Sequence, residues 1–366
     1  MSKLKLFFEN LKIIFSKYEA WLSSLALIFG FIFDSLTLKR VDFFLDNFFI
    51  LLYLIVAGAS ILAINLYGTG RIRGKFFENI HEFLPFLLQF SFGGLFSAFV
   101  IFYSKSASVF TSGAFVLILF ILLIGNEFFK KRYSKLVFQA GIYFIALFLF
   151  SIYFLPVLIK QMGFLVFLGS GAVSLALIGI FIFIISRLAP GRYTESKKFL
   201  FLTVSLLYIF MNVFYFTNII PPIPLSLKTG DVFHFVEKQG SGDYLVVGEE
   251  DTWREKWNLG QTLHLLPGEP AYFFSSVFAP TDLGIRLIHH WQYFNESKGR
   301  WESVNKISFP IKGGRDEGYR GFSKKNSVFA GEWRVDIETD RGQVIGRVRF
   351  DIEITNSAYV LETEVI

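Results

Sequence analysis

Cysteine is absent from the 366 residues, so the chain carries no disulfide framework and no thiolate metal site. Histidine is scarce: His81, His234, His264, His289 and His290 are the full complement. Only His81 falls in the apolar first 220 residues, in a stretch expected near the cytoplasmic surface. A serine protease working inside the membrane needs its base within the helix bundle, and none is available there. Gly169-Ser170-Gly171 therefore reads as a helix-packing segment. Also missing are an H-E-x-x-H pair, a Walker A loop and a dinucleotide fingerprint. The expectation is no catalytic residue, no cofactor and no metal site.

What the chain has in excess is apolar surface. Hydrophobic residues make up 53% and aromatics 19%, with a mean hydropathy of +0.50. The apolar residues form uninterrupted blocks, the mark of an integral membrane protein. The blocks are 20–38, 43–66, 84–103, 108–128, 136–159, 163–186 and 199–220, each near the ~20 residues that cross a bilayer. The last, FLFLTVSLLYIFMNVFYFTNII, runs into Pro-Pro-Ile-Pro, and no later stretch is long or apolar enough to cross. The prolines end the helix and make a short neck.

Net charge is +6, distributed unevenly. Up to Pro221 there are 19 basic against 9 acidic residues; beyond it there are 17 against 21. The basic surplus lies in the membrane half, so it reads as a topology signal and implies no nucleic-acid partner. With seven crossings, 15 basic residues fall on the side of the N-terminus and four (Lys39, Arg40, Lys105, Lys160) on the other. The bias predicts a cytoplasmic N-terminus and a C-terminal region outside a bacterial cytoplasmic membrane, periplasmic or extracellular. The lipid bilayer is the one partner this implies directly.

The expected organisation follows. Residues 1–18 form an amphipathic helix at the membrane surface, with Leu4, Phe7, Phe8, Leu11, Ile14 and Phe15 on one stripe. Residues 19–220 form the seven-span bundle, 221–229 the proline-rich neck, 230–356 a β domain and 357–366 a loosely ordered tail. In the β domain the hydrophobic period changes to two. Trp333, Val335 and Ile337 alternate with Arg334, Asp336 and Glu338; Thr339-Asp340-Arg341-Gly342 offers a turn; Val348, Phe350 and Ile352 alternate with Arg349 and Asp351. Further short strands with Gly, Pro and Asp between them predict an all-β antiparallel sandwich, immunoglobulin-like in arrangement.

Charged residues within or beside the spans are Asp34, Asp46, Glu127 and Arg187. Ionisable groups at membrane depth are functional candidates by default, but these four fall near span ends, where pairing with neighbouring charges also accounts for them. In the β domain, His289, Trp291, Tyr319, Arg320 and Trp333 are candidate ligand-binding residues. One reading is a patch for glycan or peptide, using aromatic stacking and charged hydrogen bonds. The other is a hydrogen-bonded histidine packed beside a core tryptophan.

Several of these segments resemble a known family. LIHHWQYF, then ISFPIKGG, YRGFSKKN and GEWRVDIETDRGQVIGRVRFDIEI are similar to bacterial membrane proteins carrying a C-terminal β-rich domain of unknown function. The matching positions are His289, Trp291, Arg320, Ser323, Lys324, Gly331, Trp333, Val335, Gly342 and Phe350. The resemblance implies the β domain and a multi-span region before a proline-rich exit; it implies no chemistry. The function expected is a non-enzymatic envelope protein whose β domain binds a glycan, a peptide or a partner membrane protein. The alternatives are a transporter or channel with an accessory outer domain, and an intramembrane enzyme acting on lipid-linked substrates.

Overall fold

The computed structural model describes residues 28–38, 42–71, 81, 83–106, 109–128, 135–249, 261–280, 283–312, 318–357 and 359–366. The expected helix over residues 1–18 lies outside the described residues. Contact density divides the chain into two units. One contains most of residues 1–215; the other contains 216–366 with the short segments 103–114 and 156–163.

The first unit is helical. Its described helices are α1 (Ile28–Thr37), α2 (Phe44–Gly68), α3 (Leu84–Lys105), α4 (Val109–Phe128), α5 (Leu136–Ile159), α6 (Phe164–Leu188) and α7 (Pro190–Phe216). Five of them, α2, α3, α5, α6 and α7, are long and apolar enough to cross a membrane. Their outer surfaces are greasy: Phe44, Leu45, Ile55, Leu165, Phe183, Phe201 and Leu206 are all exposed. Water would penalise such a surface, and hydrocarbon would not. α7 begins nine residues before the expected span. Pro190 takes the first helical position, where its missing N–H costs nothing, and the helix then runs on through Gly-Arg-Tyr-Thr-Glu-Ser-Lys-Lys.

Inside the bundle, small residues admit aromatic rings from other helices. A Cβ on Gly94 would meet the Tyr53 ring at 2.7 Å, and one on Gly171 would meet Tyr208 at 2.9 Å. Gly94 and Ala98 have the small-xxx-small spacing that lets helices approach closely, as do Gly93/Ser97 and Ala172/Ala176. One buried polar pair joins α2 to α5, with the Asn65 side-chain amide donating to Gln139 Oε1 at 2.7 Å. Arg71 closes the C-terminal end of α6, giving Nη1 to the carbonyls of Arg187 and Leu188, both at 2.7 Å.

The second unit is β-rich. Its strands are β1 (Ser226–Phe233), β2 (Phe235–Lys238), β3 (Tyr244–Glu249), β4 (Gln261–Leu265), β5 (Ala271–Phe278), β6 (Gly284–Asn295), β7 (Arg300–Lys312), β8 (Tyr319–Lys325), β9 (Gly331–Thr339), β10 (Val344–Ile354) and β11 (Leu361–Val365). They form three sheets, ordered β1-β5-β8, β4-β10-β9-β6-β7 and β11-β3-β2. The pairing is antiparallel throughout except between β4 and β10, which run parallel.

Two all-antiparallel sheets were expected, and the difference has a clear origin. At His234 the chain bends, so that β1 and β2 enter different sheets. β5, AYFFSSVF, is buried at every position. Successive side chains of a strand point to opposite faces, so β5 must have a core on each side. Phe273 and Val277 join the five-stranded sheet's Leu287, Trp291, Trp333, Val335, Ile337 and Phe350. Tyr272 and Phe274 join Val236, Tyr244 and Val246 of the third sheet. The expected loose tail supplies one edge strand of that third sheet. Leu361–Val365 pairs with Leu245–Glu249, and Ile366 exchanges both backbone hydrogen bonds with Tyr244.

The neck is shorter than expected, because β1 begins at Ser226. The β9–β10 turn holds it: Gln343 Nε2 donates to the Ile220 carbonyl at 3.3 Å, and the Arg341 guanidinium lies 5.8 Å from the Phe216 ring centre.

Candidate functional site

The five residues proposed as a ligand patch do not share a surface. His289, Trp291 and Trp333 are fully buried. His289 lies between the rings of Phe273 and Phe309, with centroids at 4.8 and 4.7 Å. Its Nε2 is 2.8 Å from Ser275 Oγ and its Nδ1 2.9 Å from Ser323 Oγ. Ser323 Oγ also accepts Trp291 Nε1–H at 3.0 Å. A neutral imidazole needs one donor and one acceptor, and the two hydroxyls supply them in either tautomer. Burial holds His289 at a pKa of about 3, so it stays uncharged. The hydrogen-bonded core histidine is therefore what these residues form.

Tyr319 and Arg320 are consecutive on β8 and point to opposite faces. Tyr319 packs against the core that holds Trp291. Arg320 turns the other way, with Nη1 3.5 Å from Asp243, while its carbonyl accepts the Tyr244 hydroxyl.

In the helical unit, Asp34 is half-buried on α1 and Asp46 half-buried in the first turn of α2. Arg187 is exposed in the last turn of α6, over the Phe183 ring at 5.1 Å. Glu127 belongs to α4, but its side chain is outside the described residues.

A polar constellation exists on the opposite face of the same β strands. Alternation places Arg334, Asp336 and Glu338 of β9, Arg347 and Arg349 of β10, and His290 and Gln292 of β6 outward. Register aligns them in rows. Arg349, Arg334, Gln292 and Ser303 form one; Arg347, Asp336, His290 and Lys306 form the next. Arg347 grips Asp336 with two bonds, Nε–Oδ1 at 2.6 Å and Nη2–Oδ2 at 2.7 Å. Gln292 Nε2 donates to Asp336 Oδ2 at 3.0 Å, and Gln292 Oε1 accepts Arg334 Nη2 at 2.7 Å. Glu338 accepts His290 Nδ1–H at 2.7 Å and lies 3.3 Å from Lys306 Nζ. His290 Nε2 is 2.7 Å from Ser303 Oγ.

Beside these rows lies Trp301 on β7. The Arg334 guanidinium sits 4.4 Å from its ring centre and Arg349 5.7 Å. Phe294 packs beside it, with centroids at 5.4 Å. Arg334 and Arg349 are directly opposed across β9 and β10, a like-charge pair that a sheet ordinarily avoids. Burial pushes Arg334 below the usual guanidinium range; Asp336 opposes this, and Arg347 and Arg349 add to it. Among the described residues no carboxylate pairs directly with Arg334. The next row is acidic, with Asp351 opposite Glu332. Burial first, then the Glu332 and Glu353 charges, raise the Asp351 pKa. The face thus offers an aromatic platform, fixed cationic donors and fixed acceptors within a few strand spacings. Sequence reading set Arg334, Asp336 and Glu338 aside as a merely wet face; their unbroken charge at alternate positions was the available signal.

A second polar group lies where β1 bends into β2. His234 Nε2 is 3.0 Å from Glu249, its Nδ1 3.2 Å from Glu269. His264 Nδ1 is 2.7 Å from the other oxygen of Glu249. Among the described residues no set of His, Asp and Glu is arranged to hold a metal ion.

Residues 285–352, which span β6 to β10, match a family described as "Protein of unknown function (DUF2914)". That range includes the buried His289, Trp291 and Trp333 and also the outward Arg334, Asp336 and Arg349. No curated protein matches the chain. A solved structure, Pseudomonas fluorescens alkylpurine DNA glycosylase AlkC bound to DNA containing an abasic site analog, is similar at 7% identity with a TM-score of 0.21. That likeness covers 86% of this chain and 99% of that one, and at such a score it carries no argument about fold or function.

Proposed function

We propose that the chain is a non-enzymatic membrane protein of the bacterial envelope that crosses the cytoplasmic membrane seven times. Its C-terminal β domain lies outside the cytoplasm and binds an envelope glycan on the outer face of the five-stranded sheet. The single observation behind this reading is the row Arg349–Arg334–Gln292–Ser303 beside Trp301. Indole rings take sugar C–H faces by apolar contact, and guanidinium, amide and hydroxyl groups pair with hydroxyls and carboxylates. The Arg334 guanidinium, set beside an indole and an amide, suits a ligand that presents both apolar C–H faces and hydroxyl or carboxylate acceptors. The five long apolar helices and the 15-to-4 basic bias support the anchor and its orientation.

The test uses the full chain in nanodiscs of neutral lipid, titrated with purified cell-wall glycan fragments. Trp301→Ala and Arg334→Gln should weaken binding by about tenfold each, and Lys228→Ala, on another sheet, should leave it unchanged. The reading fails if wall glycans do not bind, if the face variants bind like the parent, or if an acidic peptide competes as well as the glycan does. A single cysteine introduced after β11 must also react with an impermeant reagent in intact cells. Labelling only after lysis would overturn the orientation.

A further inference from the structure

We propose that His234 is a pH-dependent latch, closed when protonated, that pins the β4–β5 turn to the bend between β1 and β2. The argument begins with proton counting. Each imidazole nitrogen of His234 faces a carboxylate oxygen, Nε2 to Glu249 at 3.0 Å and Nδ1 to Glu269 at 3.2 Å. A carboxylate only accepts, so both contacts are hydrogen bonds solely when both nitrogens carry protons. The neutral ring must turn one lone pair onto a carboxylate, and one arm of the latch then opens.

The geometry says which arm opens. Glu249 is held three times over: by His234, by the His264 backbone N–H at 2.7 Å and by His264 Nδ1 at 2.7 Å. Among the described residues Glu269 has one further hydrogen-bond partner, the Leu266 backbone N–H at 2.9 Å, and its side chain is 28% exposed against 16% for Glu249. Glu269 therefore leaves first. It ends the turn Leu266–Glu269, which joins the five-stranded sheet to the sheet containing β5. Losing Glu269 frees the Leu266 amide and leaves the His264 amide in place.

The charged groups around the latch come from four elements: Glu249 on β3, Glu269 in the turn, His264 on β4, and Glu353 on β10, 3.6 Å from His264 Nε2. Burial alone would lower the His234 pKa, but the bonds to Glu249 and Glu269 outweigh it and raise the pKa. Burial likewise opposes ionisation of Glu249, and His234 and His264 together hold its pKa below the ordinary value. The contribution of His234 is thus complete below its unfolded value of 6.5 and is lost as pH rises through the raised folded value. That of Glu249 is present above 4.5 and lost as pH falls through its lowered value. The latch is tightest between these limits and opens on the alkaline side. It does not depend on whether the outer face binds a glycan.

Amide hydrogen exchange of the full chain in detergent tests this, at about pH 5.5 and about pH 8.5, corrected for intrinsic rates. The Leu266 amide should lose protection by about tenfold or more at the higher pH, while His264 keeps its own. In Glu269→Gln the amide of Leu266 retains an acceptor and the second carboxylate is gone, so the pH effect should vanish. His234→Gln, neutral at every pH, should leave Leu266 equally exposed at both values. The proposal is overturned if Leu266 protection does not change with pH in the parent, or if Glu269→Gln shows the same change.

Discussion

Replacing Ser323 by alanine removes a single buried oxygen, yet that oxygen serves two partners. It accepts the indole N–H of Trp291 at 3.0 Å and is bonded to His289 Nδ1 at 2.9 Å. Trp291 and His289 are fully buried and Ser323 is 3% exposed, so no bulk solvent replaces the lost bonds. Each orphaned buried group costs about 1–3 kcal/mol, so two give a loss of about 2–6 kcal/mol for Ser323→Ala. Ser275→Ala strands only one imidazole nitrogen, bonded at 2.8 Å, and should cost about 1–3 kcal/mol. A His289→Leu background isolates the terms. There, Ser323→Ala strands only the Trp291 N–H, so its cost should fall by at least about 1 kcal/mol. The assay is guanidinium unfolding of the full chain in detergent, followed by near-ultraviolet circular dichroism at tryptophan wavelengths. The denaturant dependence should be the same in all variants. A Ser323→Ala protein within about 0.5 kcal/mol of the parent would refute the reasoning, as would equal costs for the two serines.

Acidification should destabilise the β domain through His289. Its folded pKa lies at about 3 against 6.5 unfolded, so the unfolded chain binds the extra proton, and stability falls as pH drops from 6.5 toward 3. The slope approaches about 1.4 kcal/mol per pH unit, and His289→Leu should remove that share of it in acid denaturation curves. Gly346→Ala drives a methyl into Leu227, whose Cβ would lie at 2.9 Å; a loss of about 1–3 kcal/mol is expected, relieved in part by Leu227→Ala in the same chain. Asn65→Ala breaks the bond to Gln139 inside the helical unit, and thermal unfolding in detergent should register a loss of about 0.6–2 kcal/mol, with Gln139→Leu restoring some of it.

The apolar helices are readable from sequence, because a membrane crossing fixes both the length and the chemistry of a segment, and five of them meet both conditions. The fifth apolar block and α5 coincide, both Leu136–Ile159. The beginning of α7 was hidden for the same reason. Gly191 to Lys198 is too polar for hydrocarbon, but a helix started by Pro190 has no cause to stop there. Among the strands, β5 was legible to the residue, since eight apolar or small residues stand between Pro270 and Ala279. β1 was not, because Leu227-Lys228-Thr229-Gly230-Asp231 has the composition of a turn; its partner Ser275–Val277 makes it a strand. β11 is short and exposed at every position, and its backbone pairs with β3. Strand partners are not written in periodicity, so neither the third sheet nor the parallel β4–β10 pair could be read.

The candidate site turns on the same limit. A period of two says which residues share a face and is silent on which face is wet. His289, Trp291 and Trp333 were grouped correctly by alternation, and their aromatic character suggested a stacking surface. The residues between them decide the matter. Arg334, Asp336 and Glu338 cannot be buried against Phe273 and Phe350 without uncompensated charge, so Trp333, Val335 and Ile337 must take that side. The outward face then has Arg347 to neutralise Asp336 and Lys306 to neutralise Glu338, which lets both acids be nearly covered without being stranded. Trp301 escaped notice because it stands on β7, opposite Phe294 and one strand removed from β9, and nothing in its own neighbourhood of sequence places Arg334 above it. The contact of the Arg334 guanidinium with the Trp301 ring exists only because strand register carries β9 across β6 to β7, and no local pattern of residues encodes it.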